Sequence, residues 1–324
     1  MKKQIVGGLA AIVALAAMGP AAQAEFVPSR PLEIAVHAGP GSGNDVFARA
    51  VIAVIDKEKL SPVRIQVANK PGGGSTTASA YLASKAGESN VIGVFTNIWI
   101  TDPLVQKEAT NTLSKLTPIA LVITEPGLIA VRADSPYKTL ADFIAAAKEK
   151  PGALKQSGGS ILARENILRQ LLIKETGASW NFISFPTGGE RLAALLGGHV
   201  DMMILEPGEA RDQVRSGKIR VLAQVSDTRL EAFDAPTLTE AGFKIPDLPQ
   251  IRGIVGPPDM PADAVAYYSG LIEKVAKSPE WKAYLEQNGF RSTFMGPAET
   301  KAFIATYTDQ LRATLVAAGV KLAD

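Results

Sequence analysis

The 324 residues predict an α/β protein built in two lobes. Three observations lead there. Glycine-rich loops repeatedly join alternating apolar residues to residues of helical spacing, the switch in period that marks strand, turn and helix. Residues 91–95, Val-Ile-Gly-Val-Phe, form a continuous apolar run of the kind found in a strand covered on both faces of a parallel sheet. The last part of the chain carries three helices whose apolar stripes need a sheet made earlier. The chain is therefore expected to form lobe I from residues 25–125 and 250–324, and lobe II from residues 126–249.

Lys2 and Lys3 precede an apolar run over residues 6–18, and Ala22-Gln23-Ala24 supplies the small residues of a signal-peptidase site. The run is shorter than the roughly 20 residues of a membrane span. Residues 1–24 read as a signal peptide cleaved after Ala24, which makes the periplasm the expected address. The chain has no cysteine, so no disulfide or lipid-anchored cysteine is available. Its formal charge of +2 falls to zero once Lys2 and Lys3, the only charged residues among the first 24, are removed. A nucleic-acid partner would call for a basic stripe, and an anion must be captured by local chemistry instead.

The first element pairs Leu32, Ile34 and Val36 on one strand face, then turns through His37-Ala38-Gly39-Pro40-Gly41-Ser42-Gly43-Asn44-Asp45 into a helix carrying Phe47, Val51 and Val54. Ser42 and Asp45 have capping-box spacing, which makes this loop a helix mouth. Such a mouth offers unpaired N–H donors and the positive end of the helix dipole, and glycine lets backbone approach a ligand closely. Residues 64–68 alternate in the same way and lead through Asn69-Lys70-Pro71-Gly72-Gly73-Gly74-Ser75 into an alanine-rich helix. Two such loops on neighbouring strands line one sheet edge, the place where open α/β folds bind ligands.

After residues 91–95, Thr96 and Asn97 put two small polar groups at a strand's carboxyl end. Strands are expected at 119–123 and 127–131 around Glu125-Pro126, and a helix at 139–148 with Thr139 and Asp142 in capping positions. The middle of the chain repeats the theme. Gln156-Ser157-Gly158-Gly159-Ser160 precedes a helix over 162–176, and the strand at 182–185 leads through Pro186-Thr187-Gly188-Gly189-Glu190 into another, with Thr187 and Glu190 as a further box. Strands are read at 200–205, ending in a polar turn at Glu206-Pro207-Gly208, at 218–225 and at 252–256. Helices follow at 261–277, after Ser278-Pro279-Glu280, and from Pro297.

The first two glycine loops, with Leu195-Leu196-Gly197-Gly198-His199-Val200-Asp201, Ser216-Gly217-Lys218-Ile219-Arg220-Val221-Leu222-Ala223 and Ala235-Pro236-Thr237-Leu238-Thr239-Glu240-Ala241-Gly242, resemble in order the Bug receptors, the extracytoplasmic solute-binding proteins of tripartite tricarboxylate transporters. The resemblance implies a type II-like periplasmic-binding-protein fold, each lobe a mixed sheet flanked by helices, closing on a ligand in the cleft between them. It implies a monomeric receptor without catalysis, cofactor or metal. The receptor would deliver a di-, tri- or aromatic carboxylate to the membrane subunits of its transporter. Carried over by position, the ligand contacts are Gly41, Ser42, Gly43 and Asn44, then Gly73, Gly74 and Ser75, with Thr96 at the neighbouring strand end. In lobe II they are Ser157, Gly158 and Ser160, and Thr187, Gly188 and Gly189. Asp45 matches the family's acid after the glycines and reads as a helix cap. A sensor role, with the closed receptor docking on a signalling kinase, uses the same ligand-driven closure.

Other chemistries fit less well. The glycines miss the G-x-G-x-x-G spacing in both registers, and no G-x-x-x-x-G-K-[ST] is present. A hydrolase would need a base, yet the two histidines, His37 and His199, accompany no G-x-S-x-G elbow and lack a second ligand at metal spacing. Both read as structural or surface residues, with His37 a candidate support behind the first loop. Glu125 and Glu206 read as turn acids, and Arg164 and Arg191 as solvated helix residues. Arg164, Arg191 and Arg252 are nonetheless the cations nearest the cleft in sequence, and an arginine fork suits a second carboxylate. Trp99 is placed equally in the core or against the ligand.

Overall fold

The computed structural model describes residues 26–323, so the expected signal peptide and its cleavage site lie outside the described residues. The chain runs β1 (Leu32–Val36), α1 (Gly43–Lys57), β2 (Ile65–Asn69), α2 (Thr76–Ala83), β3 (Val91–Phe95), α3 (Ile98–Val105) and β4 (Thr117–Glu125). It continues through β5 (Gly127–Arg132), α4 (Leu140–Glu149), β6 (Lys155–Gly158), α5 (Arg164–Thr176), β7 (Asn181–Ser184), α6 (Gly188–Leu196), β8 (Met202–Leu205), α7 (Pro207–Arg215) and β9 (Ile219–Val225). The last elements are β10 (Gln250–Gly256), α8 (Ala262–Lys277), α9 (Pro279–Asn288), β11 (Arg291–Met295) and α10 (Pro297–Ala317).

The strands form two sheets, ordered β11-β4-β10-β3-β1-β2 and β7-β6-β8-β5-β9. Both are mixed. In the first, β1 pairs parallel with β2 and β3, while β10 runs antiparallel to β3 and β4. In the second, β6 pairs parallel with β7 and β8, while β5 runs antiparallel to β8 and β9. The same three-strand device therefore occurs twice, as β2-β1-β3 and as β7-β6-β8. Because each trio is parallel, its three outgoing loops share one sheet edge, and each loop opens directly into a helix: α1, α2 and α3 in one case, α5, α6 and α7 in the other.

The chain passes from the first sheet to the second between Glu125 and Gly127 and returns over residues 226–249. Phe47, Val51 and Ile55 of α1 share a core with Ile34, Tyr268, Ile272 and Trp281, so the C-terminal helices α8 and α9 do lie on the sheet begun at the N-terminus. On the other face, Ile304, Tyr307, Leu311 and Leu315 of α10 join a core that also contains Ile129, Leu168 and Leu171. That core reaches across both sheets. Among the described residues no helix is long and apolar enough to cross a membrane.

Several elements have no counterpart in the sequence expectation. Residues 98–105 are helical around Pro103, residues 155–158 form a strand, residues 207–215 continue the expected polar turn into a helix, and residues 291–295 form an edge strand. Pro207 sits at the first turn of α7, where a missing N–H costs nothing, and Glu206 caps the helix.

Candidate functional site

The first glycine loop is held from behind by one acid. The Asp45 carboxylate accepts from the Gly41 N–H at 2.9 Å, from Arg49 at 2.9 and 3.0 Å, and from the Asn69 amide at 3.1 Å. Arg49 is the main reason its carboxyl is held below the usual aspartate range. Ser42 Oγ accepts from the Asp45 N–H at 3.4 Å, so one half of the expected capping box forms while the Asp45 side chain reaches Gly41 rather than Ser42. Gly41 takes φ +77°, a conformation that glycine adopts without cost. The N–H groups of Gly43 and Asn44, at the first positions of α1, have no partner among the described residues.

Asn69 also donates to Ala38 O at 2.8 Å, tying the first loop to the second. In that second loop Gly72, Gly73 and Gly74 all have positive φ, at 131°, 54° and 68°. Ser75, expected in the ligand set, is turned inward: its N–H and its hydroxyl both donate to Asp102 Oδ2 at 2.7 Å, and it is 2% exposed. Burial pushes the Asp102 carboxyl up, against the pull of the two Ser75 donors. Gly73 and Gly74 are exposed, and their N–H groups have no partner among the described residues. Thr96 is buried at the end of β3, and Asn97 beside it pins the entry to β10 by bonding Pro249 O and the Ile251 N–H.

His37 and Trp99 stand behind the first loop. Trp99 Nε1 donates to His37 Nδ1 at 2.8 Å, and the Asn44 amide nitrogen lies 2.9 Å from His37 Nε2. Burial, with the charge of Arg252, lowers the imidazole to about 4, so it is neutral at pH 7. Trp99 itself is 1% exposed and belongs to the core.

On the second sheet, Ser157 is fully buried at the end of β6, and its hydroxyl has no partner among the described residues. Gly158 is pressed under Phe182, where a Cβ would overlap the ring. Ser160 is exposed and accepts from the Leu162 N–H at 3.3 Å. Thr187 caps α6 by accepting from Glu190 N–H at 3.2 Å, and Gly188 and Gly189 open that helix, with Glu209 against Gly188.

Between these loops runs a ladder of buried charges, built from the three arginines named as nearest the cleft and from glutamates whose pairing with them the sequence does not show. Arg252 on β10 grips both Glu125 oxygens through Nε and Nη2, and donates through Nη1 to Asn44 Oδ1. Arg164 at the start of α5 donates to Glu125 O and to the Glu206 carboxylate, each at 3.0 Å. Arg191 on α6 pairs with Glu165 at 2.5 Å and lies 3.8 Å from both Glu206 and Glu209. The expectation that Arg164 and Arg191 are solvated is therefore corrected: they are 3% and 8% exposed. Glu125 is likewise no turn acid, being 0% exposed at the crossing between sheets. Burial acts to raise the Glu206 carboxyl, but Arg164 and Arg191 together hold it down, whereas burial and the neighbouring Glu206 push Glu209 up to about 8. No spacing signals such a ladder, because Arg252 and Glu125 are 127 residues apart.

Two sheet edges, each presenting three helix mouths and joined by the crossing at Glu125, define a two-lobed solute-binding protein. The model of the tripartite tricarboxylate transporter family receptor, TctC, matches residues 48–319, and the chain belongs to that family of solute receptors, which are not enzymes. A UPF0065 protein of Bordetella bronchiseptica is 28% identical over 97% of this chain and 93% of its own length. Two solved structures share the fold: a Rhodopseudomonas palustris protein with adipate (TM-score 0.83, 19% identity, 91% of this chain and 99% of that one) and MatC of the same organism with bound malate (TM-score 0.80, 21% identity, 89% and 99%).

Proposed function

We propose that this chain is the periplasmic receptor that captures a small organic carboxylate and delivers it to the membrane subunits of a tripartite tricarboxylate-type transporter. The observation that carries the reading is the set of N–H groups of Gly43, Asn44, Gly73 and Gly74, without partners among the described residues, on the loops that follow the paired strands β1 and β2 of the parallel trio β2-β1-β3. Donors at helix mouths favour an anion, and each charge-assisted hydrogen bond contributes roughly 1.5–3 kcal/mol. Ser42 flanks them. The binding of adipate and malate by fold relatives supports a carboxylate. Ser75 and Thr96 take part as supports beneath the first-lobe loops, while Ser160, Thr187, Gly188 and Gly189 form the face that closes on the solute from lobe II, with the buried Ser157 and Gly158 as supports beneath it.

In this reading lobe I comprises residues 25–125 and 250–324, lobe II residues 126–249, and the receptor acts as a monomer. Solute binding and lobe closure are one linked hinge motion that shifts population toward the closed form. A thermal-shift panel of mono-, di-, tri- and aromatic carboxylates, each with its amide, tests it, since a ligand bound only by the folded state raises the melting temperature. A rise with one carboxylate and none with its amide is expected; a response confined to neutral or cationic compounds refutes it. Deleting the transporter genes, with uptake as the readout, separates delivery to a transporter from presentation to a sensor kinase.

A further inference from the structure

Arg252 is a guanidinium with donors to spare, held on β10 next to the anion-facing trio of strands. Its side chain is 9% exposed. Of its five N–H donors, Glu125 takes those on Nε and one on Nη2, and Asn44 takes one on Nη1, which leaves one on each terminal nitrogen. Those terminal nitrogens lie against Gly43: a Cβ built there would sit 3.0 Å from Nη2 and 3.4 Å from Nη1. Any residue other than glycine would press on that end of the fork. With glycine there no side chain presses on it, and it lies beside the N–H groups of Gly43 and Asn44, which have no partner among the described residues, at the positive end of α1.

A carboxylate seated over Gly43 thus meets two backbone donors and the open end of an arginine fork within one small space. Glu125 does not cancel this. Its two oxygens occupy the Nε side of the guanidinium and fix its plane, so the terminal end is presented in one orientation. Resting on the carboxylate-receptor reading above, we infer that Arg252 is the residue that makes this receptor demand a negative charge at the first glycine loop, by adding a fixed cation to donors that neutral oxygens could also satisfy. Arg164 and Arg191 belong to α5 and α6, and of the three arginines only Arg252 lies against Gly43.

The test compares wild type, R252K and the charge-neutral pair E125Q/R252Q, which leaves no buried carboxylate without its cation. Calorimetry measures the dissociation constants of malate, adipate, succinate, citrate and benzoate and of their amides. Wild type is expected to prefer one carboxylate over its amide. The double variant should lose roughly ten- to hundredfold in carboxylate affinity, the value of one charge-assisted hydrogen bond, and so narrow the gap between carboxylate and amide. R252K, which keeps the charge without the fork, should fall between them, and it decides the matter if the double variant does not fold. Undiminished preference in the folded variants overturns the role of Arg252 and leaves the receptor reading standing. Failure of wild type to bind any carboxylate overturns the receptor reading, and this inference with it.

Discussion

Asp102 Oδ2 accepts from both the backbone N–H and the hydroxyl of Ser75, each at 2.7 Å. One buried carboxylate on α3 therefore anchors the loop that turns Gly73 and Gly74 outward. Asp102→Ala strands two buried donors and should cost roughly 2–4 kcal/mol in urea unfolding. Carboxylate affinity should fall with it, because the loop loses its fixed shape. A variant as stable as wild type would show that the loop is held by other contacts.

Glu125 and Arg252 form a pair whose removal from one side should be far costlier than neutralising both. Glu125→Ala leaves a guanidinium buried without its carboxylate, an effect of about 3–5 kcal/mol. E125Q/R252Q, which keeps the volume and leaves no lone charge, should stay within about 2 kcal/mol of wild type. Chemical denaturation of the single and double variants reads both numbers, and equal losses would place the pair outside the stability of the crossing between sheets.

His37 gives the fold an acid sensitivity. Its imidazole is lowered to about 4 in the folded protein, by burial first and by Arg252 second, against an ordinary value of 6.5. The unfolded chain therefore takes up a proton more readily between those values. Stability from this residue is complete above pH 6.5 and declines as pH falls toward 4, by at most about 3 kcal/mol. Melting temperatures measured from pH 7 to pH 4 should drop less in His37→Gln than in wild type. Parallel curves would assign the acid loss to other groups.

Ser42→Ala should separate stability from binding. The hydroxyl accepts at a long 3.4 Å, so losing it as a cap should cost only about 0.5 kcal/mol. As a ligand contact its loss should weaken carboxylate affinity several-fold, measured by calorimetry on a protein with near-wild-type melting.

Gly73→Val should act more severely on the same site. Its Cβ would overlap Thr76 Oγ1 in a backbone with φ +54°, which distorts the loop and its outward N–H groups. Carboxylate binding should be lost while the circular dichroism spectrum stays that of the folded protein; retained affinity would move the anion site away from this loop.

Where backbone donors are offered can be read from local residue patterns. The alternation of Leu32, Ile34 and Val36, the glycines after it, and the caps at Ser42, Thr139 and Thr187 are local patterns, and each produced the strand, turn or helix start it encodes. Residues 98–105, for which the sequence expectation names no element, are helical around Pro103; Trp99, Ile100 and Leu104 are buried there, so tertiary packing outweighs propensity.

Which charges meet depends on how the strands and helices assemble. Glu125, Arg164, Arg252 and Glu206 come from separate stretches of the chain, and nothing in the local spacing of any of them marks its partner. Hydrogen-bond caps act over three or four residues and so leave a trace in spacing. Ion pairs at a sheet edge are fixed by strand order and by the helix that follows each strand, quantities that emerge when β4 and β10 pair and the chain crosses at Glu125. The same assembly turned Ser75 inward to Asp102 and set Arg252 beside Gly43, so the helix mouths were legible residue by residue while their electrostatic setting belonged to the fold.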